Sequence, residues 1–287
     1  MSEVLDPRLH AYRPDLAVRS LQGQVEAERF VDPEPGFVSV GRAALREEPS
    51  TEARQGSELL YGERLDLVEE KDDWCWVQNQ TDGYVGYVAR SAISSAAPRQ
   101  PTHRVTALRS YLFAEPDLRL PPLDMLEMSS FVSVMAEQEG WAEIAGGGWL
   151  WSAHLSPLSD VQTDWLRSAR RLIGASYYWG GRSTTGLDCS ALIQLSLAMA
   201  GIDVARDSDQ QEATLGLLVE GGVEKAEPGD VLYWPGHCAF WLGEGRILHA
   251  NAHHMAVAEE PLSDFKARTL EKIGDVRMIR RPAARTD

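Results

Sequence analysis

A cysteine stands where a helix is expected to begin, in the run GLDCSAL at residues 186–192. Asp188 is a favourable N-cap residue, so Cys189 becomes the first residue of the helix. Unpaired backbone N–H groups and the positive end of the helix dipole stabilise a thiolate there, and the thiolate is the nucleophilic form. The same N–H groups are suited to hold the oxyanion of a tetrahedral intermediate. Cys189 is therefore a candidate nucleophile, although a cysteine on an apolar helix face is most often a small buried hydrophobe.

Two histidines further along the chain can supply the base that a cysteine nucleophile needs. His237 opens the run HCAFWLG directly after Pro235 and Gly236, and His249 lies on the next predicted strand, RILHA. A hairpin turn at residues 243–245 joins the two strands, and facing residues of adjacent antiparallel strands lie within about 5 Å of each other. We therefore expect His249 to hydrogen-bond the ring of His237 and to fix its tautomer.

The same part of the chain also contains the residue types of a metal site. The spacing fits no usual zinc pattern, and two adjacent histidines rarely bind one ion from a strand. We therefore expect no metal and no cofactor. The side chains considered as ligands are Cys189, His237, Cys238, His249, His253 and His254.

Helices followed by an antiparallel sheet are predicted to position these side chains. The run VQTDWLRSARRLIGA predicts one helix that ends at Gly174, and CSALIQLSLAMAG predicts a second that ends at Gly201. This order of elements is typical of an α+β domain, which we place at residues 160–283. One face of the first helix is expected to carry Trp165, Leu166, Ala169, Leu172 and Ile173. The strands are expected over Asp230–Trp234, His237–Gly243, Arg246–Ala250 and Val276–Arg280.

The first half of the chain has the pattern of small antiparallel barrels. Residues 1–34 are polar and interrupted by prolines, and we interpret them as an extension with one short helix over Leu16–Arg29. Short alternating runs bounded by glycines follow and predict strands. The run EEKDDWCWV resembles AEQEGWAEI, with Trp74 and Trp141 in matching places, which predicts a duplicated SH3-like barrel. The two copies are expected at residues 35–96 and 102–158, with the linker AAPRQP (Ala96–Pro101) between them.

Composition and charge narrow the choice of partners. The chain has 287 residues, 44% of them hydrophobic, and a formal net charge of −15. Such a charge repels nucleic acid and anionic lipid surfaces, so we expect neither as a partner. No run reaches the roughly 18 apolar residues of a membrane span, and the first residues lack the apolar stretch of a secretory signal. With three cysteines and no CxxC spacing, the expected location is the cytoplasm, whereas the oligomeric state is left open.

The C-terminal part of the chain resembles a known family. The runs YYWGGRSTTGLDCSAL, ARDSDQQ and EPGDVLYWPGHCAFWLGEGRILHAN are similar to those of the NlpC-type cysteine peptidases, which have a papain-like fold and cleave bacterial cell-wall peptides. The resemblance covers about Trp165–Arg281. It implies that Cys189 is the nucleophile, His237 the general base and acid, and His249 the orienting partner.

Two positions depart from the pattern of this family. Ala191 stands where the family usually has glycine, and Cys238 stands where it usually has an aliphatic residue. If the strand alternates, Cys238 points away from the face of His237 and into the core, and we expect it to be inert.

The barrels refine the substrate that the resemblance implies. NlpC-type enzymes with two bacterial SH3-like barrels ahead of the catalytic domain resemble γ-D-glutamyl-L-diamino-acid endopeptidases of the dipeptidyl-peptidase VI type. The resemblance implies hydrolysis of the bond after D-glutamate in murein stem peptides whose N-terminal L-alanine is free. The expected cytoplasmic location further suggests a role in cell-wall peptide recycling. The first barrel is then expected to close one end of the cleft. The diamino acid after D-glutamate is not identified by the sequence.

Several side chains are candidates for binding this peptide. A free ammonium group taken out of water must be paired, and the expected acceptors are Asp188, Ser190 and Tyr177. The resemblance further implies that the pocket is lined by Arg206, Asp207 and Ser208, with Arg206 available to a substrate carboxylate. Tyr84 of the first barrel is a further candidate for reaching the substrate amine.

Other functions stay open at this point. Papain-like amidases and acyltransferases use the same Cys-His-His triad, and a wall-binding protein with an inactive catalytic domain is a third alternative. Equal turnover of a free and an N-acetylated peptide would exclude recognition of the amine. Loss of turnover without loss of binding in Cys189→Ala would separate the enzyme from the binding protein.

Overall fold

The computed structural model describes residues 5–95 and 99–283 and divides the chain into two compact units, with the boundary between Pro157 and Leu158. This boundary lies close to the one predicted at residues 158–160. The predicted linker Ala96–Pro101 lies partly outside the described residues, which resume at Arg99. Within the described ranges, no helix combines the length and the apolar character that a membrane crossing requires.

The first unit is built almost entirely from short strands. Its described strands are β1 (Leu16–Val18), β2 (Arg29–Val31), β3 (Glu34–Val38), β4 (Arg42–Arg46), β5 (Gln55–Leu60), β6 (Arg64–Lys71), β7 (Trp74–Asn79), β8 (Val85–Ala89), β9 (Ile93–Ser94), β10 (His103–Val105), β11 (Arg109–Leu112), β12 (Asp124–Glu127), β13 (Phe131–Val132), β14 (Val134–Gln138), β15 (Trp141–Ile144), β16 (Trp149–Trp151) and β17 (Leu155–Pro157). Short 3-10 helices lie at Arg19–Leu21, Arg90–Ala92 and Ser152–His154.

The N-terminal segment lies on the outside of the first sheet, and from residue 5 onward it contains one 3-10 turn, Arg19–Leu21, but no α-helix. The short helix predicted over Leu16–Arg29 is wrong, because this stretch contains β1, which pairs in parallel with β2. Leu16 and Val18 are buried in one apolar cluster with Val68 and Trp76 of the sheet. Packing against these side chains, which are distant in sequence, therefore overrides the local preference for a helix.

Strands β3 to β9 form one antiparallel sheet in the order β5-β4-β8-β7-β6-β3-β9. Its alternating residues fill a core of their own, which includes Leu59, Leu65 and Val77. The strands predicted for this region are confirmed. Strands β10 to β17 form smaller sheets, in the orders β13-β10-β17, β11-β12 and β14-β15-β16, around a separate core that includes Val105 and Leu126.

The second unit places helices before and beside an antiparallel sheet. Its described helices are α1 (Trp165–Arg170), α2 (Cys189–Ala198), α3 (Ser208–Thr214) and α4 (Leu262–Ile273), with a 3-10 turn at Val223–Lys225. Its described strands are β18 (Arg182–Ser183), β19 (Gly186–Leu187), β20 (Leu217–Leu218), β21 (Val231–Trp234), β22 (His237–Gly243), β23 (Arg246–Asn251), β24 (Ala256–Pro261) and β25 (Met278–Arg281). The main sheet has the order β20-β25-β21-β22-β23-β24.

The strands predicted for the second unit are confirmed, and its helices differ in part from the prediction. Helix α1 ends at Arg170, before the predicted stop at Gly174, and Ile173 is exposed rather than on a buried face. Helix α2 starts at Cys189 as predicted and is buried on all sides from Cys189 to Leu197, because helix α1 and strand β22 both pack against it. Strand β24 and helix α4 were not predicted.

Candidate active site

A tight hairpin leads the chain into helix α2. Strands β18 and β19 pair Arg182 with Leu187 and Ser183 with Gly186. A Cβ atom at Gly181 would lie 2.4 Å from the carbonyl oxygen of Gly186, so this close approach of two backbone segments requires glycine. The hairpin thus fixes where the chain enters the helix.

Asp188 caps the helix and presents Cys189 as its first residue, as predicted. The Asp188 carboxylate accepts the backbone N–H of Ala191 at 2.9 Å and that of Gly180 at 2.9 Å. One side chain therefore holds both the helix N-terminus and the loop in front of it. Cys189 is 8% exposed.

The same carboxylate is paired with a buried arginine. Arg206 is fully buried and donates to Asp188 Oδ2 at 2.7 Å, to Asp188 Oδ1 at 3.0 Å and to Ser190 Oγ at 3.0 Å. Ser190 in turn donates to Asp188 Oδ1 at 3.2 Å. Together with the N–H groups of Gly180 and Ala191, five donors share the roughly four lone-pair sites of the carboxylate.

One predicted role is corrected by this network. Arg206 is not available to a substrate carboxylate, because its guanidinium is enclosed and neutralised by Asp188. Asp188 and Ser190 lie beside Cys189 as expected, but their polar atoms are already engaged within the protein. Asp188 and Ser190 therefore stabilise the start of helix α2.

The two histidines meet across the hairpin of β22 and β23, as predicted. His237 Nε2 lies 2.8 Å from His249 Nδ1. The His237 ring stacks on Phe265 with 5.3 Å between ring centroids, and His249 is fully buried with its edge against the same phenylalanine. His237 is also in hydrogen-bond contact with the sulfur of Cys189. The structure therefore brings Cys189, His237 and His249 together.

Beyond His249 the contacts continue to a carboxylate that the sequence analysis missed. His249 Nε2 lies 2.7 Å from Glu260 Oε1, and both guanidinium nitrogens of Arg268 hydrogen-bond Glu260. Glu260 lies on β24 and Arg268 on α4, and neither element was predicted. A signal exists in the strand register: Ala258 faces His249, and Glu260 is two residues further on the same face of the strand.

We call the hydrogen-bonded line His237–His249–Glu260 the relay, and the charges of its members follow from their contacts. Burial lowers the pKa of His249 to about 4, although the hydrogen bond to Glu260 opposes this, so the ring is neutral near pH 7. Burial alone would raise the pKa of Glu260, but the hydrogen bonds from His249 and Arg268 outweigh it and lower this pKa to about 2. Glu260 is therefore ionised and can only accept hydrogen bonds.

The thiol of Cys189 lies beside a second thiol, that of Cys238. A hydrogen bond from Cys238 and the charge of His237 hold the pKa of Cys189 well below its usual value, against the opposing effect of burial. Burial and the neighbouring sulfur raise the pKa of Cys238. Cys238 is fully buried, as expected, and its sulfur is 3.9 Å from Gln211 Oε1. Cys238 also lies beside the site, because its side chain hydrogen-bonds Cys189 at the start of α2, and its inert role stays a prediction.

The remaining predicted residues differ in what they offer a ligand. Tyr177 is half-buried, burial raises the pKa of its phenol, and within the described ranges no hydrogen bond to its hydroxyl is found. Asp207 is the N-cap of α3 and Ser208 its first residue, both half-buried. Tyr84 belongs to the core of the first sheet and is 8% exposed. Its contact with substrate stays a prediction, as do those of Asp207 and Ser208.

One group of side chains has the donor atoms of a metal site. The ligand atoms of His249, His254 and Glu260 lie within 4.8 Å of one another. Both ring nitrogens of His249 are already hydrogen-bonded, and the Glu260 carboxylate is paired with the positively charged guanidinium of Arg268. These contacts favour a hydrogen-bonded relay over a cation site.

Comparisons with known proteins agree with this geometry. Residues 174–273 match the model of the NlpC/P60 family, and residues 45–93 match that of the bacterial dipeptidyl-peptidase Sh3 domain. The chain is 27% identical over 232 residues to dipeptidyl-peptidase 6 of Lysinibacillus sphaericus, covering 73% of this chain and 84% of the relative. It is 23% identical over 238 residues to the gamma-D-glutamyl-L-lysine dipeptidyl-peptidase of Bacillus cereus, covering 72% and 70%.

A solved structure has the same fold over most of the chain. The crystal structure of an NlpC/P60 family protein from Bacillus cereus superposes with a TM-score of 0.74 at 19% identity, and the match covers 86% of this chain and 99% of that one. The matched segment 174–273 holds the Cys-His-His site and has an Sh3 domain ahead of it, so this segment is identified as an NlpC/P60 domain and the protein is a cysteine peptidase.

Proposed function

We propose that this protein hydrolyses the γ-D-glutamyl-L-diamino acid bond of peptidoglycan stem peptides whose N-terminal L-alanine is free. The observation that carries the proposal is the meeting of Cys189, at a helix start, with His237 and His249 across one hairpin. The names of two relatives, dipeptidyl-peptidase 6 and gamma-D-glutamyl-L-lysine dipeptidyl-peptidase, support the choice of bond.

In the proposed reaction, the Cys189 thiolate attacks the carbonyl carbon of the D-glutamyl side chain. His237, as the imidazolium, gives its proton to the leaving amine, which departs from the tetrahedral intermediate and leaves a thioester on Cys189. Neutral His237 then takes a proton from water, and the resulting hydroxide attacks the thioester. The thiolate leaves and the peptide acid is released.

The helix start supplies the groups that stabilise the oxyanion. The N–H groups of Ala191 and Leu192 bond the side chain and the carbonyl oxygen of Asp188. Those of Cys189 and Ser190 have no hydrogen bond within the described residues and serve the oxyanion in this proposal. Preorganised N–H donors of this kind contribute about 3–4 kcal/mol each to such reactions.

For the substrate amine, Tyr177 is the most available of the three predicted acceptors. Asp188 and Ser190 are engaged with Arg206, whereas the phenol of Tyr177 lies in the electrostatic neighbourhood of Cys189 and Asp188. We propose that the ammonium group binds the Tyr177 hydroxyl and the weakly exposed edge of Asp188.

The finer architecture and the biological role are also proposals. We propose that residues 102–158 are a second SH3-like barrel and that the catalytic domain is papain-like. In support of the duplication, β7 and β15 both begin at a tryptophan, and β8 and β16 are both followed by a 3-10 turn and a short strand. Action in the cytoplasm on imported wall peptides stays a prediction, which cell fractionation with an activity assay tests.

Mass analysis of products from defined peptides tests the activity. L-Ala-γ-D-Glu-diaminopimelate and L-Ala-γ-D-Glu-L-Lys are expected to release L-Ala-D-Glu, and their N-acetylated forms are expected to react much more slowly. Cys189→Ala is expected to abolish turnover, whereas Cys75→Ala, in the core of the first unit, should retain it.

The outcomes separate the alternatives. Equal rates for free and acetylated peptides would refute recognition of the amine. Transfer of the acyl group to an added amine in preference to water would refute the hydrolase in favour of an acyltransferase. Full turnover by Cys189→Ala would refute the nucleophile.

A further inference from the structure

Glu260 is the third side chain in a line of contacts that starts at His237. The line runs from His237 Nε2 to His249 Nδ1 at 2.8 Å, and from His249 Nε2 to Glu260 Oε1 at 2.7 Å. We propose that Glu260, held by Arg268, is a positioning residue that sets the tautomers of His249 and His237. This inference rests on the proposed function, in which His237 exchanges a proton with Cys189.

The direction of the hydrogen bonds is determined by the carboxylate. An ionised Glu260 can only accept, so His249 must carry its proton on Nε2. Neutral His249 then has a lone pair on Nδ1, which accepts the proton of His237 Nε2. Neutral His237 therefore has its lone pair on Nδ1, the nitrogen that remains to exchange a proton with Cys189. A charge at Glu260 thus decides which nitrogen of His237 is basic.

Water cannot take the place of the carboxylate in this arrangement. His249 is fully buried and Glu260 is 6% exposed. Phe265 covers both histidine rings, at 5.3 Å from each, and the Arg268 guanidinium lies 5.3 Å from the same phenyl ring. A buried ring nitrogen without its partner is costly, so the relay has one satisfied arrangement of protons.

Arg268 keeps the Glu260 side chain in its ionised form. Its two nitrogens hydrogen-bond the two oxygens of Glu260, which neutralises the buried charge and fixes its orientation. The titratable groups that face Glu260 are therefore His249 and Arg268, with His254 nearby on the loop between β23 and β24. The pair as a whole is neutral, so it orients His249 without attracting a proton to it.

Glu260→Gln keeps the shape of the side chain almost unchanged but reverses the direction of both hydrogen bonds in the relay. Arg268 donates only, so it selects the carbonyl oxygen of the glutamine and turns the amide NH₂ toward His249. His249 must then accept at Nε2 and carry its proton on Nδ1, facing His237. His237 is forced to accept at Nε2 and to carry its proton on Nδ1, and the neutral ring can no longer take a proton from Cys189.

The neighbouring residue offers a matched control. Glu259 lies on the same strand and forms ion pairs with Arg170 at 3.3 Å and Arg246 at 3.5 Å, away from the histidines. Glu259→Gln removes the same charge from the same strand without touching the relay. Glu260→Asp keeps a carboxylate and is expected to restore part of the function that Glu260→Gln loses.

Two measurements on the full chain test the relay without any peptide substrate. Imidazole ¹⁵N chemical shifts report the tautomers, and the rate of Cys189 alkylation by iodoacetamide against pH, followed by peptide mass spectrometry, reports the thiolate. We expect the Nε2–H tautomer of His249 in the wild type and in Glu259→Gln, and the Nδ1–H tautomer in Glu260→Gln. We also expect Glu260→Gln to move the alkylation profile to higher pH. With the stem peptide as substrate, a third measurement is expected to show kcat lowered about 10²–10⁴-fold.

The proposal is overturned if wild-type His249 carries its proton on Nδ1, or if Glu260→Gln keeps the wild-type tautomers and alkylation profile. If Glu260→Gln does not fold, the wild-type spectrum and Arg268→Gln, which leaves the carboxylate in place, still decide the matter. If no stem peptide is cleaved by the wild type, the proposed function fails while the tautomer and alkylation results continue to test the relay.

Discussion

The buried pair of Asp188 and Arg206 gives a stability prediction that the structure makes quantitative. Asp188→Asn keeps the shape of the side chain and keeps a good helix N-cap, since asparagine and aspartate are nearly equivalent there. What it removes is the negative charge that pairs with Arg206 at contact distances of 2.7 and 3.0 Å, and Arg206 is fully buried. Breaking such a pair leaves an uncompensated buried charge, which costs about 3–5 kcal/mol.

A double variant separates the charge from the packing. Arg206→Gln in the Asp188→Asn background removes the unpaired charge, so the double variant is expected to be more stable than the sum of the two single changes implies, by about 1–3 kcal/mol. Asp275→Asn is the control in the same unit. Its partner Lys266 is 2.6 Å away, but the side chains are 59% and 32% exposed, so the loss is expected to stay below about 1 kcal/mol.

Hydrogen exchange during urea titration is the suitable assay, because a chain of two compact units need not unfold in one step. Peptides from α2 report the free energy of opening of the second unit, and peptides from β6 and β7 serve as an internal reference. Equal losses in Asp188→Asn and Asp275→Asn, or additive losses in the double variant, would refute the reasoning that Arg206 depends on its carboxylate.

Three further predictions concern the thiol, the relay and the hairpin. Cys238→Ala is expected to raise the apparent pKa for Cys189 alkylation by about 1–2 units, since a hydrogen bond to a charged acceptor contributes about 1.5–3 kcal/mol. Cys75→Ala is the control and should leave the pH profile of alkylation unchanged. An unchanged profile in Cys238→Ala would contradict the prediction. The unfolding free energy of the second unit is expected to fall as the pH decreases from 6.5 to about 4, because the unfolded chain binds the proton that buried His249 rejects. This loss is at most about 3 kcal/mol, and His249→Asn should flatten that part of the urea-derived pH profile. Gly181→Ala is expected to destabilise the second unit by about 1–3 kcal/mol because its Cβ meets the Gly186 carbonyl oxygen, and an unchanged melting temperature would argue against that contact.

The parts of the site that the sequence predicts are those that depend on neighbours in sequence. Asp188 and Cys189 are adjacent, so a single local rule, the N-cap preference, places the sulfur at the helix start. His237 and His249 are joined by a short hairpin, so the register of two strands suffices to bring their rings together. The alternating runs of the first unit likewise determine its strands.

The parts that escape prediction depend on contacts between distant segments. Arg206 has the residue type of a substrate clamp, and only packing shows that Asp188 encloses it. Alternation correctly turns Cys238 away from His249, but it cannot say that helix α2 brings Cys189 to that other face. Glu260 was missed because β24 ends in Glu-Glu-Pro, which hides its strand pattern, and its partner Arg268 lies on a helix of which only Leu262 and Phe265 are buried.

Two ion pairs with buried carboxylates flank the triad, and their placement explains how a reactive thiolate can be held at a buried site. Asp188–Arg206 fixes the helix start that carries Cys189, and Glu260–Arg268 fixes the rings that serve it. Each pair is neutral as a whole, so neither competes for the charge that moves between Cys189 and His237 during the reaction. Fixed dipoles that need no reorganisation are the most effective stabilisers of such a charge. An unpaired carboxylate in either place would instead raise the pKa of the thiol and would hold the imidazole charged.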